Sequence, residues 1–384
     1  MAERSQLSHL IESFVDSSRS PTQQVEFTQY VRALQAASLD KIASLVKNDV
    51  LTMEGLVREM QMYLTTTDNI VRARGILLLA EVLTCLATKP LDNATLHSLI
   101  GFFTDRLADW KALRGALVGC LALMRRKSSA GVITSTDAKA VAESFLQNLQ
   151  VQSLGQHDRK LCFELLECLL ERYPNTVTPM GDELIYGICE AVDSEKDPQC
   201  LMLTFHIVEV LVQLFPDTSG PFASFAGDLF EILSCYFPIH FTHPRGEDLG
   251  IKRDDLSQAL MLAFSSTPLF EPFAIPLLLE KLSSSLPSAK LDSLKYLSSC
   301  TSNYGPERMA KHARAIWLSI KDALYTSLQE PTLSFTSESL DGLVFQENEI
   351  AKEALTLLQQ ASLNYLQLVV SCLFLPRPPL LAVI

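Results

Sequence analysis

The sequence predicts an all-α chain of helical hairpins stacked in series, and three observations predict it. The stretch DNIVRARGILLLAEVLTCL, Asp68–Leu86, places Val71, Gly75, Leu78, Leu79, Val82 and Leu86 at helical spacing, with Ile76, Leu77 and Leu83 on the other side. A helix apolar nearly all round is buried on most of its circumference, so it needs layers on both sides. The chain then repeats the pattern: DWKALRGALVGCLALM from Asp109, DRKLCFELLECLLERY from Asp158, DPQCLMLTFHIVEVLVQLF from Asp197 and SAKLDSLKYLSSC from Ser288. The leading aspartates recur at steps of about 40 to 50 residues. Two helices per unit at roughly this period is the signature of HEAT and armadillo repeats, hence an α-solenoid.

Length and composition agree. A solenoid grows by stacking, so no single core limits a chain of 384 residues. Hydrophobic content of 48% with 20% charged residues marks a folded chain. The net charge of −12 argues against broad, non-specific nucleic-acid binding, which needs cations to neutralise phosphates, and suits partners with basic surfaces. Nine cysteines occur without a CxxC, and Met1–Ser20 does not read as a signal peptide, which points to the reducing cytosol or nucleus.

Taken in order, Leu7–Val15 is a short amphipathic helix that SSRSP, Ser17–Pro21, breaks. Thr22–Lys47 is helical, with Phe27, Val31, Leu34 and Ser38 along one line. Thr52–Leu64 opens a pair, Thr65–Asn69 turns it, and Asp68 is the N-cap of the second member. Leu91–Leu107 repeats the first-helix role, Asp109 starts its partner, and Arg125–Gly131 ends the pair. Further pairs are Asp137–Leu149 with Asp158–Tyr173, and Asp182–Val192 with Asp197–Phe215. Pro221–Pro238 starts as a helix, Ile239–Asp255 reads as loop and Leu256–Phe264 as a short helix. Pro268, Pro272 and Pro276 lie four apart. Because proline removes a helical hydrogen bond, the regular helix is expected to begin near Pro276 and run to Leu282. Ser288–Cys300 and Pro306–Ser327 are helical, Glu330–Glu347 is loop and Asn348–Gln360 is helical. Ala361–Ile384 is almost uncharged. It reads as a half-built repeat or a non-native end, with a tail anchor as the other alternative, although its apolar run falls short of the about 20 residues a span needs. The expected division is an N-terminal helical segment at 1–35, HEAT repeats at 36–327, and a loop, helix and apolar tail at 328–384.

No GxxxxGK[ST], HExxH or GxSxG motif is present, which removes the enzymes those motifs mark. Cys235, His240 and His243 in CYFPIHFTHP carry zinc-ligand chemistry. Without an obvious fourth ligand they read as a buried cysteine and two loop histidines, with a zinc-dependent enzyme as the competing idea. Arg125, Arg126 and Lys127, followed by Ser128 and Ser129, suit a modification or import signal, or cations that offset a helix dipole. His206, in LTFHIVEV, reads as a core histidine. Trp110 is either an exposed anchor for a partner or packing at the start of a repeat. Together with Arg72 and Arg74, the candidate partner-binding set is Arg72, Arg74, Trp110, Arg125, Arg126 and Lys127. No catalytic, metal or cofactor residue is assigned, and no cofactor is expected.

Several stretches together resemble one family: CYFPIHFTHP, RDDL at Arg253–Leu256, STPLFEPFAIPLLLEKL at Ser266–Leu282, SAKLDSLKYL at Ser288–Leu297, RARGILLLAEVL at Arg72–Leu83 and DWKALRGAL at Asp109–Leu117. These are similar to the MMS-nineteen proteins, HEAT-repeat scaffolds of the cytosolic iron–sulfur protein assembly targeting complex, and most like plant members. The resemblance covers about Ala36–Ser327, the family's N-terminal region. It implies a non-catalytic adaptor that helps deliver iron–sulfur clusters to apoproteins of DNA replication, repair and transcription, DNA helicases among them. It also implies the other targeting-complex subunits and apo-clients as partners, a place in nucleus and cytoplasm, and no direct contact with nucleic acid or membrane. Val25–Gln35 looks like an insertion relative to the family. Family members run longer and dock the other subunits through C-terminal repeats, so the chain resembles a truncated product or alternative isoform. A general HEAT-repeat transport or regulatory adaptor is the competing reading.

Overall fold

The computed structural model describes residues 2–16, 25–127, 132–240, 250–328 and 349–360. Every regular element among them is helical. The chain forms two compact units, Met1–Leu203 and Thr204–Ile384, and the division falls inside one helix, α11 (Pro198–Leu214).

Unit 1 contains α1 (Ala2–Asp16), α2 (Val25–Lys47), α3 (Met53–Thr65), α4 (Asn69–Cys85), α5 (Asn93–Arg106), α6 (Leu113–Met124), α7 (Ser135–Asn148), α8 (Gln156–Arg172), the short α9 (Pro174–Val177) and α10 (Asp182–Val192). Helices α4, α6 and α8 lie side by side in one layer, and α5 packs on α7 in a second. The pairs α3–α4, α5–α6 and α7–α8 bridge the layers as HEAT-like hairpins. Burial follows the apolar stripes. Ile76, Leu78, Leu79, Val82 and Leu83 are fully enclosed on α4, as the nearly all-apolar stretch requires. Two glycines set the spacing. A Cβ on Gly115 would lie 2.7 Å from the Leu77 backbone nitrogen, and one on Gly119 would lie 2.3 Å from the Phe103 ring. Only hydrogen there lets α6 approach α4 and α5 so closely.

Local chemistry starts the helices where side-chain oxygens meet orphan amides. Thr52 Oγ1 accepts from Gly55 N at 3.0 Å, and Asp68 Oδ1 accepts from Ile70 N and Val71 N at 2.9 and 3.1 Å. Asp92 Oδ1 accepts from Thr95 N at 2.9 Å, and Thr134 with Asp137 forms a capping box. Each such cap is worth about 1 kcal/mol. Asp109 and Asp158 differ from expectation. A turn intervenes after Asp109, so α6 starts at Leu113 with Ala112 as its N-cap. Asp158 lies within the first turn of α8, behind Gly155. Both carboxylates face arginines of the preceding hairpin instead.

Unit 2 contains α12 (Phe222–Ser234), α13 (Arg253–Ser265), α14 (Glu271–Leu282), α15 (Pro287–Asn303), α16 (Pro306–Ala310) and α17 (Ala313–Leu328), with residues 349–360 also helical. Helix α13 packs on α15, and α14 contacts α12, α15 and α17. Its centre is aromatic: Phe230–Phe264 and Phe237–Tyr296 both have centroids 4.8 Å apart, with Phe222 and Phe270 alongside. The Tyr296 hydroxyl donates to the Ser257 carbonyl at 2.7 Å and that of Tyr304 to the Phe264 carbonyl at 2.6 Å, so both are buried with partners.

Helix α14 corrects the proline reading. Pro272 occupies its first turn, where the missing N–H costs nothing, and Pro276 sits inside the helix. Burial of Ala274, Ile275, Leu278 and Leu282 outweighs one lost hydrogen bond. Helix α13 begins at Arg253, inside the expected loop. Among the described residues no single helix is long and apolar enough to cross a membrane. The expected loop at Glu330–Glu347 and the tail Ala361–Ile384 lie outside the described residues.

Candidate partner-binding surface

Several basic residues between hairpins are engaged with the chain itself. Arg72, on the first turn of α4, donates Nε to Asp109 Oδ2 at 2.8 Å and Nη2 to Asp109 Oδ1 at 3.3 Å. It also reaches the Thr66 carbonyl and Asn69 Oδ1. Arg114 pairs with Asp158 at 2.7 Å, and Arg159 grips both carboxylate oxygens of Glu195 at 2.8 and 2.9 Å. In unit 2, Arg253 pairs with Asp292. Four rungs of one kind recur, each from an arginine near the start of a helix to an acid about 36 to 44 residues on, and two of the aspartates that lead the sequence echoes, Asp109 and Asp158, serve in them rather than as caps.

Electrostatics differ among the rungs. The Arg72 hydrogen bond holds the Asp109 carboxyl below the usual range. Burial pushes Glu195 up, but bonds from Arg159 and from the backbone amides of Asp197 and Lys196 outweigh it, and its pKa is lowered. At Asp292 burial wins over Arg253, and the pKa is raised.

The six predicted residues separate into two groups. Arg72, Arg74 and Arg126 are tied inward. Arg74 Nη1 donates to the Val15 carbonyl at 2.8 Å. Arg126 is only 2% exposed and donates to the carbonyls of Leu86, at 3.0 Å, and Lys89. Trp110, Arg125 and Lys127 face outward. Trp110 is 74% exposed, with the Lys111 ammonium 3.6 Å from its ring centroid. Arg125 pairs loosely with Glu164 at 3.1 Å, its side chain 46% exposed, and Lys127 is exposed. Ser128 and Ser129 lie outside the described residues.

Beside Trp110 lies a groove of about 860 Å³ between the α5–α6 turn, the end of α7 with the strap 149–154, and α10. Leu107, Leu113, Phe145 and Val151 give it a buried apolar floor. Glu183, Tyr186 and Glu190 line it from α10, all exposed, Tyr186 at 58%. Gln152 fixes the strap by donating to the Ala191 carbonyl at 2.6 Å. Sequence reading missed these three residues. The signal was present in DELIYGICEAV: Leu184, Ile185, Ile188, Cys189, Ala191 and Val192 form the buried face, and Tyr186 falls off it.

Burial disfavours the thiolate form of five buried cysteines. Burial pushes Cys120, Cys200 and Cys300 up to about 12, and raises Cys162 and Cys168 as well. Cys235, expected to be buried, is exposed as the C-cap of α12, just past the helix's last residue, Ser234. His240 is exposed, His243 lies outside the described residues, and His206 is half-buried on α11.

Residues 57–326 match the family described as Dos2-interacting transcription regulator of RNA-Pol-II, the MMS19 N-terminal model. The chain is 56% identical over 360 residues to the MMS19 nucleotide excision repair protein homolog of Arabidopsis thaliana, covering 94% of this chain and 31% of that protein. Against the Homo sapiens homolog it is 34% identical over 303 residues, covering 78% and 28%. The chain thus spans about a third of the length of the curated relatives it matches. Among solved structures it is similar to importin beta (14% identity, TM-score 0.45, 97% of this chain and 44% of that one). It is also similar to Kap121p (12% identity, TM-score 0.47, 96% and 46%). At these values the similarity says nothing of function. The family match over most of the chain, with relatives above 30% identity across more than two thirds of it, shows that this chain belongs to the MMS19 family.

Proposed function

We propose that the chain is a non-catalytic protein-binding scaffold serving iron–sulfur cluster delivery to apoproteins of DNA repair, replication and transcription. The observation that carries this reading is the matched family region folded as stacked hairpins whose described cysteines are mostly buried, with burial favouring the thiol form of Cys120, Cys200 and Cys300. Thiolates, not thiols, ligate metal. A chain with such cysteines suits holding cluster-accepting proteins better than holding a cluster. The relatives named nucleotide excision repair protein homologs favour clients among DNA-repair proteins. The partners on this reading are apo iron–sulfur proteins such as DNA helicases and the other subunits of the targeting complex, and the work is done in nucleus and cytoplasm.

Affinity purification of the tagged chain beside a full-length relative tests the reading. Iron–sulfur helicases or targeting-complex subunits should co-purify with the chain above an unrelated helical control. Absence of both, while the full-length relative captures them, contradicts it for this chain. Imaging of the tagged chain checks the location.

A further inference from the structure

The groove beside Trp110 has a charge pattern that names its occupant. We infer that it docks an extended, lysine- or arginine-bearing segment of a partner protein, with Glu183 and Glu190 taking the cationic heads, Trp110 and Tyr186 lying against them, and the apolar floor taking neighbouring aliphatic side chains. The inference rests on the reading of the chain as a protein-binding scaffold and adds the chemistry of the segment it holds.

Three features of different origin converge. Among the described residues none of the groove-lining side chains is basic, and two are exposed carboxylates on one face of α10, seven residues apart, or about two helical turns. The groove also receives the C-terminal end of α7, through Leu146, Gln147 and Asn148. A helix C-terminus carries partial negative charge, and α7 has no basic residue in its last turn to offset it. Finally, exposed Trp and Tyr rings attract cations through their π faces. The Trp110 ring already holds one, since Lys111 Nζ sits 3.6 Å from its centroid. A phosphate or nucleic-acid backbone would face both carboxylates, with Lys111 at the rim as the one cation named beside them.

Size and shape fit a peptide. A volume of about 860 Å³ lies within the range of sites that enclose a ligand, and it exceeds what a single side chain fills. The strap 149–154 is irregular apart from one 3-10 turn at Val151–Ser153, so this wall of the groove is not a regular helix. Leu107, Val151 and Phe145 are almost fully buried, so the floor is a rigid part of the unit 1 core.

Fluorescence anisotropy with the purified chain tests this. The probe is a short labelled peptide with two Lys–Leu pairs in a Gly-Ser background, and its counterpart carries Glu in place of Lys. The lysine peptide should bind and the glutamate peptide should not. The exposed double variant Glu183→Lys/Glu190→Lys should weaken lysine-peptide binding by about tenfold or more. Trp110→Ala should weaken it about fivefold, with an unchanged unfolding midpoint for both variants. The control Glu12→Lys/Asp40→Lys makes the same change in net charge at exposed sites outside the groove and should leave affinity within about twofold. Equal weakening by the control and the groove variant, or no binding of the lysine peptide, overturns the inference. Clients that co-purify equally with the groove variant and the parent chain overturn the groove while leaving the scaffold reading intact.

Discussion

The two units join their helices by different means. In unit 1 the acids of the Arg72–Asp109 and Arg159–Glu195 rungs are held below their ordinary pKa, so each rung is an ion pair at neutral pH. In unit 2 the equivalent acid, Asp292, is pushed up, and aromatic side chains fill the centre. The cause is local backbone. Asp109 and Glu195 precede helices, where amides are unspent: Lys111 N donates to Asp109 at 3.2 Å, and Lys196 N and Asp197 N donate to Glu195 at 2.8 and 2.9 Å. Asp292 lies inside α15, where neighbouring amides already bond within the helix. An equivalent pair at similar sequence spacing is therefore electrostatically favourable in a loop and strained by desolvation in a helix.

That contrast is easiest to break at its two strongest points. Phe264→Ala in unit 2 should cost about 3–5 kcal/mol, because it empties a filled aromatic centre. Arg159→Ala in unit 1 should cost about the same, because it leaves Glu195, wholly buried, without its guanidinium. Urea unfolding distinguishes them by pH. The folded pKa of Glu195 is depressed, so its stabilisation is present above the unfolded value of about 4.3 and is lost as pH falls through the folded value. The Arg159→Ala penalty should shrink in that acid window, and the Phe264→Ala penalty should not follow it.

A smaller effect comes from the interface between α4 and α6. Gly115→Ala should cost about 1–3 kcal/mol, because the added Cβ meets backbone that cannot swing aside.

Smaller again is the difference between rungs. Asp292 has a raised folded pKa, so folding favours its protonated form more than the unfolded chain does, and stability falls as pH rises from the unfolded value of about 3.9 through the folded one. Asp292→Asn should therefore improve relative to the parent chain as pH rises, and at neutral pH should cost less than Glu195→Gln by about 1 kcal/mol. Thermal unfolding across pH 4 to 8 checks the sign. The smallest effects belong to Arg125→Ala and Lys127→Ala, expected within about 0.5 kcal/mol of the parent chain, because both side chains keep their exposure to water.

Helix periodicity and period were legible because burial imposes them on every residue. The Asp68 and Asp197 starts, the Thr52–Leu64 pair and the Asp182–Val192 helix all appear where spacing put them. The roles of Asp109 and Asp158 were not legible, since an aspartate that caps a helix and one that binds the preceding hairpin leave the same letter at nearly the same position. For the same reason Arg125 and Arg126, neighbours in sequence, gave no sign that one is exposed and the other enclosed. Their fates depend on carbonyls of Leu86 and Lys89, about 40 residues away. The groove is half legible in the sequence: Trp110 stands out there as a candidate anchor, but Glu183, Tyr186 and Glu190 join it only through the packing of α7 and α10.

The arginine–acid rungs between hairpins hold the stack together, and the charges in them are spent before any partner arrives. A double-mutant cycle on Arg159 and Glu195, read by urea unfolding at neutral pH, tests this most directly. A coupling of about 1.5 kcal/mol or more is predicted for this pair, and additive single effects, with coupling below about 0.3 kcal/mol, would contradict it.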